Sequence, residues 1–345
     1  MSMFIDQTPG RNCFINGREY LFFSGYAYLG MNHVEEFISC IKEGIGKYGI
    51  LFPSSRISNT RLSIFDKMEE ALSEMLSVED SVLFSSGYLA GQTIASALSR
   101  HMNIFIAPGT HPSICIPGIP VPAQSFKEWS ARIIEILINN KEKQCVLIAD
   151  SVNILESSVN DFSFVSELPK ELQITFLIDD SHSIGILGDH GEGVASRLIK
   201  QANVDYIISY SLSKAFNFTG GAVSASSKWC NMLRENANYS GSTPISPAFI
   251  HAFLQSRGLY NNQRQRLNEN IVEFIKAINL SSEDQNLPVF ICNNHNAANV
   301  LFDKGIVISS FAYPLPNSKL VNRVILNALH TNEDIHKIAE AWRCL

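Results

Sequence analysis

A lysine in a stretch rich in hydroxyl and glycine residues is the part of this sequence that most directly suggests chemistry. Lys214 lies in SYSLSKAFNFTGG (209–221), which follows the apolar run at residues 206–208. Such a run is typical of a central strand in a parallel sheet, and α/β folds bind their ligands at the carboxyl ends of these strands. Lys214 is therefore either a solvated loop charge or an amine kept for Schiff-base formation with a carbonyl compound.

A second apolar run brings acidic and imidazole groups to the same predicted sheet edge. The stretch TFLIDDSH (175–182) ends in Asp179, Asp180 and His182. A lone aspartate at a strand end most often caps the following helix. Pyridoxal 5′-phosphate, however, requires a lysine for its imine and an acid that keeps its ring nitrogen protonated. A strand-end lysine together with strand-end carboxylates therefore favours this cofactor.

A phosphate cradle is predicted in LFSSGYLAG (83–91), where Ser86, Gly87 and Tyr88 follow an apolar run and open a helix. Unpaired backbone N–H groups at a helix N-terminus bind phosphate, and a glycine there permits close approach. Ser211 and Ser213, just before the lysine, supply further hydroxyl donors.

The order of apolar runs predicts the fold class. Short strand-like runs alternate with helix-like stretches up to Trp229, which is typical of an α/β fold with a mostly parallel sheet. A long helix, three strands and a terminal helix then predict a smaller α+β domain. We expect an N-terminal segment (1–45) that packs with the small domain, a large domain (46–232) and a small C-terminal domain (233–345). The predicted strands of the large domain are NIFIAPG (103–109), QCVLIADS (144–151), TFLIDDSH (175–182) and DYIISYS (205–211).

The composition excludes several classes of protein. The 345 residues carry a net charge of −6, without a basic stripe for nucleic acid or an anionic membrane surface. The seven cysteines form no CxxC pair, so neither a zinc site nor a disulfide framework is indicated. No apolar run approaches the ~20 residues of a membrane-spanning helix, and the first residues lack a secretory pattern. We therefore expect a cytoplasmic protein without nucleic-acid or membrane partners.

Two long motifs carry a family resemblance that covers nearly the whole chain. IDDSHSIGILGDHGEGV (178–194), followed by SYSLSKAFNFTGG, is similar to the paired signatures of the α-oxoamine synthases. These pyridoxal-phosphate enzymes join an amino acid to an acyl thioester. SSRISNTRLSIFDKMEEAL (54–72) and VLFSSGYLAG (82–91) resemble the early motifs of the family, in the same order. The resemblance implies a fold type I transferase of the aminotransferase class I/II type.

The resemblance also implies roles for individual residues around the cofactor ring. Lys214 forms the imine, Asp179 pairs with the pyridine nitrogen, and His182 hydrogen-bonds the phenolic oxygen. His111, in GTHPSICIPG, stacks on the ring, although a lone histidine of this kind is more often a packed loop residue. No metal is implied.

Further residues are assigned to the phosphate, the substrate and the partner subunit. Gly87, Tyr88 and Ser211 hold the phosphate, with Ser86 and Ser213 beside them. YSGSTPISP (239–247) resembles the segment that enters the neighbouring subunit's site, so Ser242 and Thr243 are predicted phosphate contacts in a homodimer with shared active sites. Arg323 is matched to the arginine that binds the amino acid's carboxylate, for which a guanidinium fork is suited. Its alternative interpretation is a structural ion pair.

The sequence departs from the family pattern at positions related to the substrate rather than to the cofactor. In the family, an asparagine commonly precedes the Tyr-Leu-Gly found here at residues 28–30, but this chain has Gly-Tyr-Ala at residues 25–27. The family also has a serine near the cofactor, and its place is taken here by Asn153 or Ile154. These differences leave the cofactor set intact and put the acyl-CoA donor in question. Two alternatives stay open: an aminotransferase or lyase on the same scaffold, and a non-catalytic binding protein that kept the fold. The sequence does not specify the amino acid or the acyl chain.

Overall fold

Two main β-sheets organise the protein. The computed structural model describes residues 3–100, 103–139, 143–280, 287–312 and 318–345. Within them, a six-stranded sheet and a five-stranded sheet are formed, together with a two-stranded ribbon. Helices pack against both main sheets, which confirms the predicted α/β class.

The six-stranded sheet has the order β3-β10-β9-β8-β5-β4. Its strands are β3 (Asp80–Phe84), β4 (Ile104–Ile106), β5 (Gln144–Asp150), β8 (Gln173–Asp179), β9 (Val204–Ser211) and β10 (Gly221–Ala225). Strands β4, β5, β8 and β9 are mutually parallel, whereas β10 runs antiparallel to both of its neighbours, β9 and β3. Their apolar residues are buried almost throughout, as expected for parallel strands covered on both faces.

The five-stranded sheet joins the two ends of the chain. Its order is β1-β2-β12-β13-β11, with β2 parallel to β12 and the other pairs antiparallel. The strands are β1 (Asn12–Ile15), β2 (Arg18–Phe23), β11 (Val289–Cys292), β12 (Ile306–Ala312) and β13 (Leu320–Ile325). The sequence predicted only the three C-terminal strands, because pairing of β2 with β12 depends on contacts distant in sequence. The ribbon consists of β6 (Val152–Asn153) and β7 (Ser158–Val159).

The helices include amphipathic ones, such as residues 63–76, that bury one apolar stripe. The helices are α1 (Glu35–Tyr48), α2 (Ser63–Leu76), α3 (Gly87–Leu98), α4 (Phe126–Asn139), α5 (Ser227–Arg234), α6 (Ala237–Gly241), α7 (Pro247–Gln255), α8 (Arg257–Ala277), α9 (Ala297–Asp303) and α10 (Asn332–Trp342). On α2, Phe65, Met68 and Leu72 are almost fully buried. Short 3-10 turns cover Met31–His33, Ser163–Glu167 and Gly193–Arg197. No helix within the described ranges is long and apolar enough to cross a membrane.

Candidate active site

The carboxyl ends of the parallel strands bring the predicted chemistry to one edge. Strands β5, β8 and β9 end at Asp150, Asp179 and Ser211. Asp179 pairs in register with Asp150 on one side and with Ser209 on the other. Lys214 follows β9 by three residues and therefore lies at this same edge.

Lys214 is partly buried and electrostatically coupled to both carboxyl groups. Burial lowers the pKa of its ammonium group, while the charges of Asp179 and Asp150 oppose this shift. An amine with a lowered pKa holds a larger neutral fraction at neutral pH, and the neutral form is the nucleophile and base. This environment is unlike that of a solvated loop lysine.

A serine joins His111 to Asp179. Ser113 Oγ donates a hydrogen bond to Asp179 Oδ2 (2.9 Å) and lies 2.7 Å from His111 Nδ1. The backbone N–H of Ser181 donates to the other oxygen, Asp179 Oδ1 (2.9 Å). Burial lowers the pKa of His111, and Asp179 and Lys214 act on it with opposite signs. The structure thus places His111, Asp179 and Lys214 in one cluster.

Asp150 anchors the loop that carries His111. The backbone N–H of His111 donates to Asp150 Oδ1 (3.0 Å) and Oδ2 (3.2 Å). Burial and the neighbouring Asp179 charge raise the pKa of Asp150 well above its ordinary value. Asp150 therefore positions the loop and tends to hold a proton beside Asp179.

His182 meets a tyrosine from the N-terminal part of the chain. Its Nδ1 lies 2.8 Å from the hydroxyl of Tyr28, which is only 2% exposed. Burial lowers the pKa of His182 well below its ordinary value, helped by the positive charges of Lys214 and Arg323. His182 is therefore a neutral imidazole at neutral pH.

The start of α3 brings together the residues predicted to hold the phosphate. Ser86 is its N-cap, with the side chain accepting from the N–H of Leu89 (3.1 Å). Gly87 packs so closely on Ser211 that a Cβ at position 87 would lie 2.6 Å from Ser211 Cβ. Ser211 Oγ lies 2.8 Å from Ser213 Oγ, so both hydroxyls are near the helix start. The side chain of Tyr88 is exposed.

Arg323 reaches the site from the small sheet. It lies in β13 between Ser309 of β12 and Ile291 of β11, and it is 9% exposed. Its guanidinium carbon lies 4.8 Å from the centroid of the Phe311 ring. Its charge acts on both Tyr28 and His182, which places it on the side of the small sheet that faces His182.

Two predicted contacts are not brought to the site within one chain. Ser242 terminates α6 and Thr243 is exposed, and neither side chain is hydrogen-bonded to the lysine cluster. The contact of these two residues with the phosphate in a partner subunit's site stays a prediction.

The neighbouring acid, Asp180, has a different environment from Asp179. It is fully buried, its side chain accepts from the Ser183 hydroxyl, and both of its oxygens accept from the N–H of Val194 (3.2 and 3.1 Å). Burial raises its pKa to about 7. Asp180 therefore orders the glycine-containing loop at residues 183–194 rather than facing a ligand.

Comparison with known proteins identifies the family. The aminotransferase class I and II profile matches residues 23–341. The chain belongs to this family. Within it, the predicted resemblance to α-oxoamine synthases is confirmed, and with it the fold type I architecture, the pyridoxal-phosphate cofactor and the transferase class.

Individual relatives of this aminotransferase-family chain are distant but cover almost all of it. An 8-amino-7-oxononanoate synthase of Buchnera aphidicola is 26% identical, covering 98% of this chain and 92% of the relative. A serine palmitoyltransferase of Sphingobacterium spiritivorum is 25% identical, covering 94% and 86%. The solved structure of Sphingomonas wittichii serine palmitoyltransferase superposes with a TM-score of 0.83 at 20% identity, covering 99% of this chain and 91% of that one.

The residues at the sheet edge match each part of pyridoxal phosphate. Backbone N–H groups at the start of α3 and the hydroxyls of Ser211 and Ser213 suit the phosphate. The carboxylate of Asp179 suits the ring nitrogen, and Lys214 supplies the amine. The close packing of Gly87 on Ser211 leaves no room for any larger residue in the cradle.

Three residues of this family member's site were missed by the sequence analysis. Ser113 follows His111 by two positions, and Asp150 ends a predicted strand, so both carried a positional signal. Tyr28 lies in the Tyr-Leu-Gly of the family's early pattern, but that resemblance assigned no role to the tyrosine. Asn153, proposed as a replacement for the family serine, accepts from the N–H of Leu155 (3.0 Å) within its own turn.

Proposed function

We propose that this protein condenses a small amino acid with an acyl thioester, releasing carbon dioxide and a thiol and forming an α-aminoketone. One proton is consumed for each condensation at neutral pH. The observation that carries the proposal is the convergence of Lys214, Asp179 and His182 with the buried Arg323. The curated relatives, named as 8-amino-7-oxononanoate synthase and serine palmitoyltransferase, support the same reaction class.

Arg323 binds and orients the amino acid through its carboxylate. A guanidinium fork holds a carboxylate through two parallel, charge-assisted hydrogen bonds. The partly buried position of this arginine excludes competing water and strengthens the contact. Holding the carboxylate also aligns the bond that is broken when carbon dioxide leaves.

Proton movement falls to Lys214. The lowered pKa of the Lys214 amine would suit it to remove the substrate's α-proton and later to return one. The bound cofactor supplies the electron sink for the carbanion. Asp179 holds the proton on the ring nitrogen, and Ser113 and Ser181 fix the carboxylate that does so.

The finer features of the proposal are a CoA thioester as acyl donor and a homodimer with shared sites. Ser55 Oγ donates to the carbonyl oxygen of Ser240 (2.7 Å), which brings the loop near residue 55 beside the 240–243 segment. In that loop Ile50 and Leu51 are 68% and 49% exposed. A second copy of the chain would cover these apolar side chains and receive Ser242 and Thr243.

The test is a visible absorbance titration of purified holoprotein with glycine, alanine and serine, each with and without acyl-CoAs of increasing chain length. The proposal requires that one amino acid perturbs the cofactor spectrum and that thiol and carbon dioxide appear only when the acyl-CoA is added. An aminotransferase would convert the cofactor to its amine form and release an oxo acid without a thioester. A binding protein would release no product. The Lys214→Ala variant is the control for non-enzymatic thioester cleavage.

A further inference from the structure

Tyr28 forms the contact between the N-terminal part of the chain and the cofactor site. Its hydroxyl lies 2.8 Å from His182 Nδ1, and the two rings meet edge to face, with centroids 6.3 Å apart at 62°. Tyr28 follows β2, which belongs to the small sheet, whereas His182 follows β8 of the large sheet. The contact therefore spans the two sheets.

The loop around Tyr28 is held firmly from the C-terminal side. The Tyr28 carbonyl oxygen accepts from the N–H of Ala328 (2.9 Å), and the next carbonyl, that of Leu29, accepts from Gln263 Nε2 (2.8 Å). Gly30 has φ +63° and packs directly on Leu329, so a side chain at position 30 would collide with Leu329. The hydroxyl of Tyr28 is thus presented to His182 from a fixed backbone.

The direction of the hydrogen bond between Tyr28 and His182 follows from the protonation of the two side chains. Burial raises the pKa of Tyr28, so its phenol keeps the proton at neutral pH. In the parts of the chain that the structure describes, His182 Nδ1 is the acceptor found within hydrogen-bonding distance of that hydroxyl. A buried phenol without an acceptor is costly, so the tyrosine donates and Nδ1 accepts. A neutral imidazole that accepts at Nδ1 carries its proton on Nε2.

We propose that Tyr28 is a positioning residue that fixes His182 as the Nε2–H tautomer and directs that N–H to the cofactor's phenolic oxygen. The inference rests on the proposed cofactor contact of His182 and extends it to a residue outside the large domain. The Nε2–H tautomer of His182 therefore depends on docking of the N-terminal loop against the small sheet.

The test compares equilibrium binding of pyridoxal phosphate and its 3-O-methyl ether to cofactor-free protein, because only the first offers a phenolate oxygen. In Tyr28→Phe, the preference for pyridoxal phosphate should fall at least about ten-fold, the scale of one hydrogen bond to a charged group. Tyr26→Phe is the matched control, since Tyr26 is 52% exposed in the same loop. In a His182→Gln background, Tyr28→Phe should no longer change the preference.

Equal weakening of both ligands by Tyr28→Phe would show that Tyr28 only supports the fold, and an undiminished effect in the His182→Gln background would overturn the link to His182. If Tyr28→Phe does not fold, long-range ¹H–¹⁵N NMR of the wild-type apoprotein decides, with the His182 signal assigned by its loss in His182→Gln. The proposal requires the Nε2–H tautomer, and the Nδ1–H tautomer contradicts it. None of these measurements involves acyl transfer, so they stand apart from a failure of the proposed reaction.

Discussion

Asp150 and Asp179 are direct neighbours, forming the last residue pair in the register of the parallel strands β5 and β8. Two carboxylates so close in a buried setting do not both ionise readily, because each charge disfavours the other. Burial and the Asp179 charge raise the pKa of Asp150 well above its ordinary value, so Asp150 is the more readily protonated member of the pair. The two carboxyl groups therefore have different roles: Asp150 anchors the His111 loop, and Asp179 is held by Ser113 and Ser181.

This division predicts unequal effects of the two isosteric substitutions. Asp150→Asn keeps a carbonyl oxygen for the N–H of His111 and replaces the carboxyl group whose pKa is raised, so kcat should fall by less than about ten-fold. Asp179→Asn removes the charge that stabilises the protonated ring, and kcat should fall by about 100-fold or more. Steady-state kinetics with saturating cofactor measures both. Equal losses in the two variants would show that Asp150 is the functional anion or shares that role.

Removal of Arg323 should separate substrate binding from cofactor binding. Arg323→Ala should stay yellow, because Arg323 belongs to β13 of the small sheet whereas the phosphate cradle lies at the start of α3, yet it should lose about 2–4 kcal/mol of amino-acid binding. Simple amines without a carboxylate should react as they do with the parent, and Arg323→Lys should rescue little, since one ammonium cannot form the two-pronged contact. Spectral titration measures each case.

The control for this variant is Arg266→Ala, which removes an exposed arginine of α8. Unchanged amino-acid affinity in Arg323→Ala would place the carboxylate site elsewhere. Loss of the cofactor or of the fold would assign Arg323 a structural role.

A shared active site predicts complementation between two inactive subunits. Lys214→Ala lacks the amine in its own site, and Thr243→Ala lacks the proposed contact to the neighbour's phosphate. Mixed after dissociation and reassociation, the two variants should recover up to about a quarter of parental activity, because random pairing gives half heterodimers with one intact site each. Sedimentation should show a dimer. An active monomer, or mixtures no better than the separate variants, would contradict the shared site.

A buried histidine in the loop between β13 and α10 predicts acid sensitivity. His330 Nε2 lies 3.1 Å from the Phe22 carbonyl oxygen, Nδ1 accepts from the N–H of Asn327 (3.1 Å), and burial lowers the pKa of His330 to about 4. The unfolded chain binds this proton near pH 6.5, so the contribution is complete above that pH and is lost as pH falls toward 4. Between pH 7 and 5 it amounts to about 2 kcal/mol.

Urea unfolding at pH 7 and pH 5 measures this contribution. His330→Gln should be less stable than the parent at pH 7, while its stability should fall by roughly 2 kcal/mol less between the two pH values. The parallel variant His336→Gln removes an exposed histidine of α10 and should behave like the parent. An equal pH dependence in His330→Gln and the parent would show that His330 is not the group responsible.

The large sheet and its strand-end residues were predictable because each parallel strand is a short, continuous apolar run. Lys214, Asp179 and Ser211 follow such runs directly, so their common edge follows from the topology of parallel sheets. Strands β1 and β2 were not predicted, since they are stabilised by pairing with a distant segment, with Leu21 in register with Ile306. Local propensity carries little information about such partners.

The site residues that the sequence analysis did not predict were missed for one physical reason. Ser113 hydrogen-bonds to His111 in its own loop and to Asp179 at the end of β8, and Tyr28 acts across the two sheets. Neither relationship has a sequence spacing, because the contacts exist only once the chain has folded. The distinction between Asp179 and its neighbour Asp180 likewise depends on burial and on the loop at residues 183–194, although the motif resemblance had already selected Asp179.

The most direct test of the proposed site is covalent labelling of the cofactor-bearing lysine. Holoprotein reduced with borohydride, digested and mapped by mass spectrometry should carry the cofactor on the peptide that contains Lys214, and Lys214→Ala should carry none on any lysine. Lys214→Arg, which keeps the charge but cannot form the bond, should also be unlabelled. A reduced cofactor found on another lysine, or labelling that persists in Lys214→Ala, would contradict the assignment of this site.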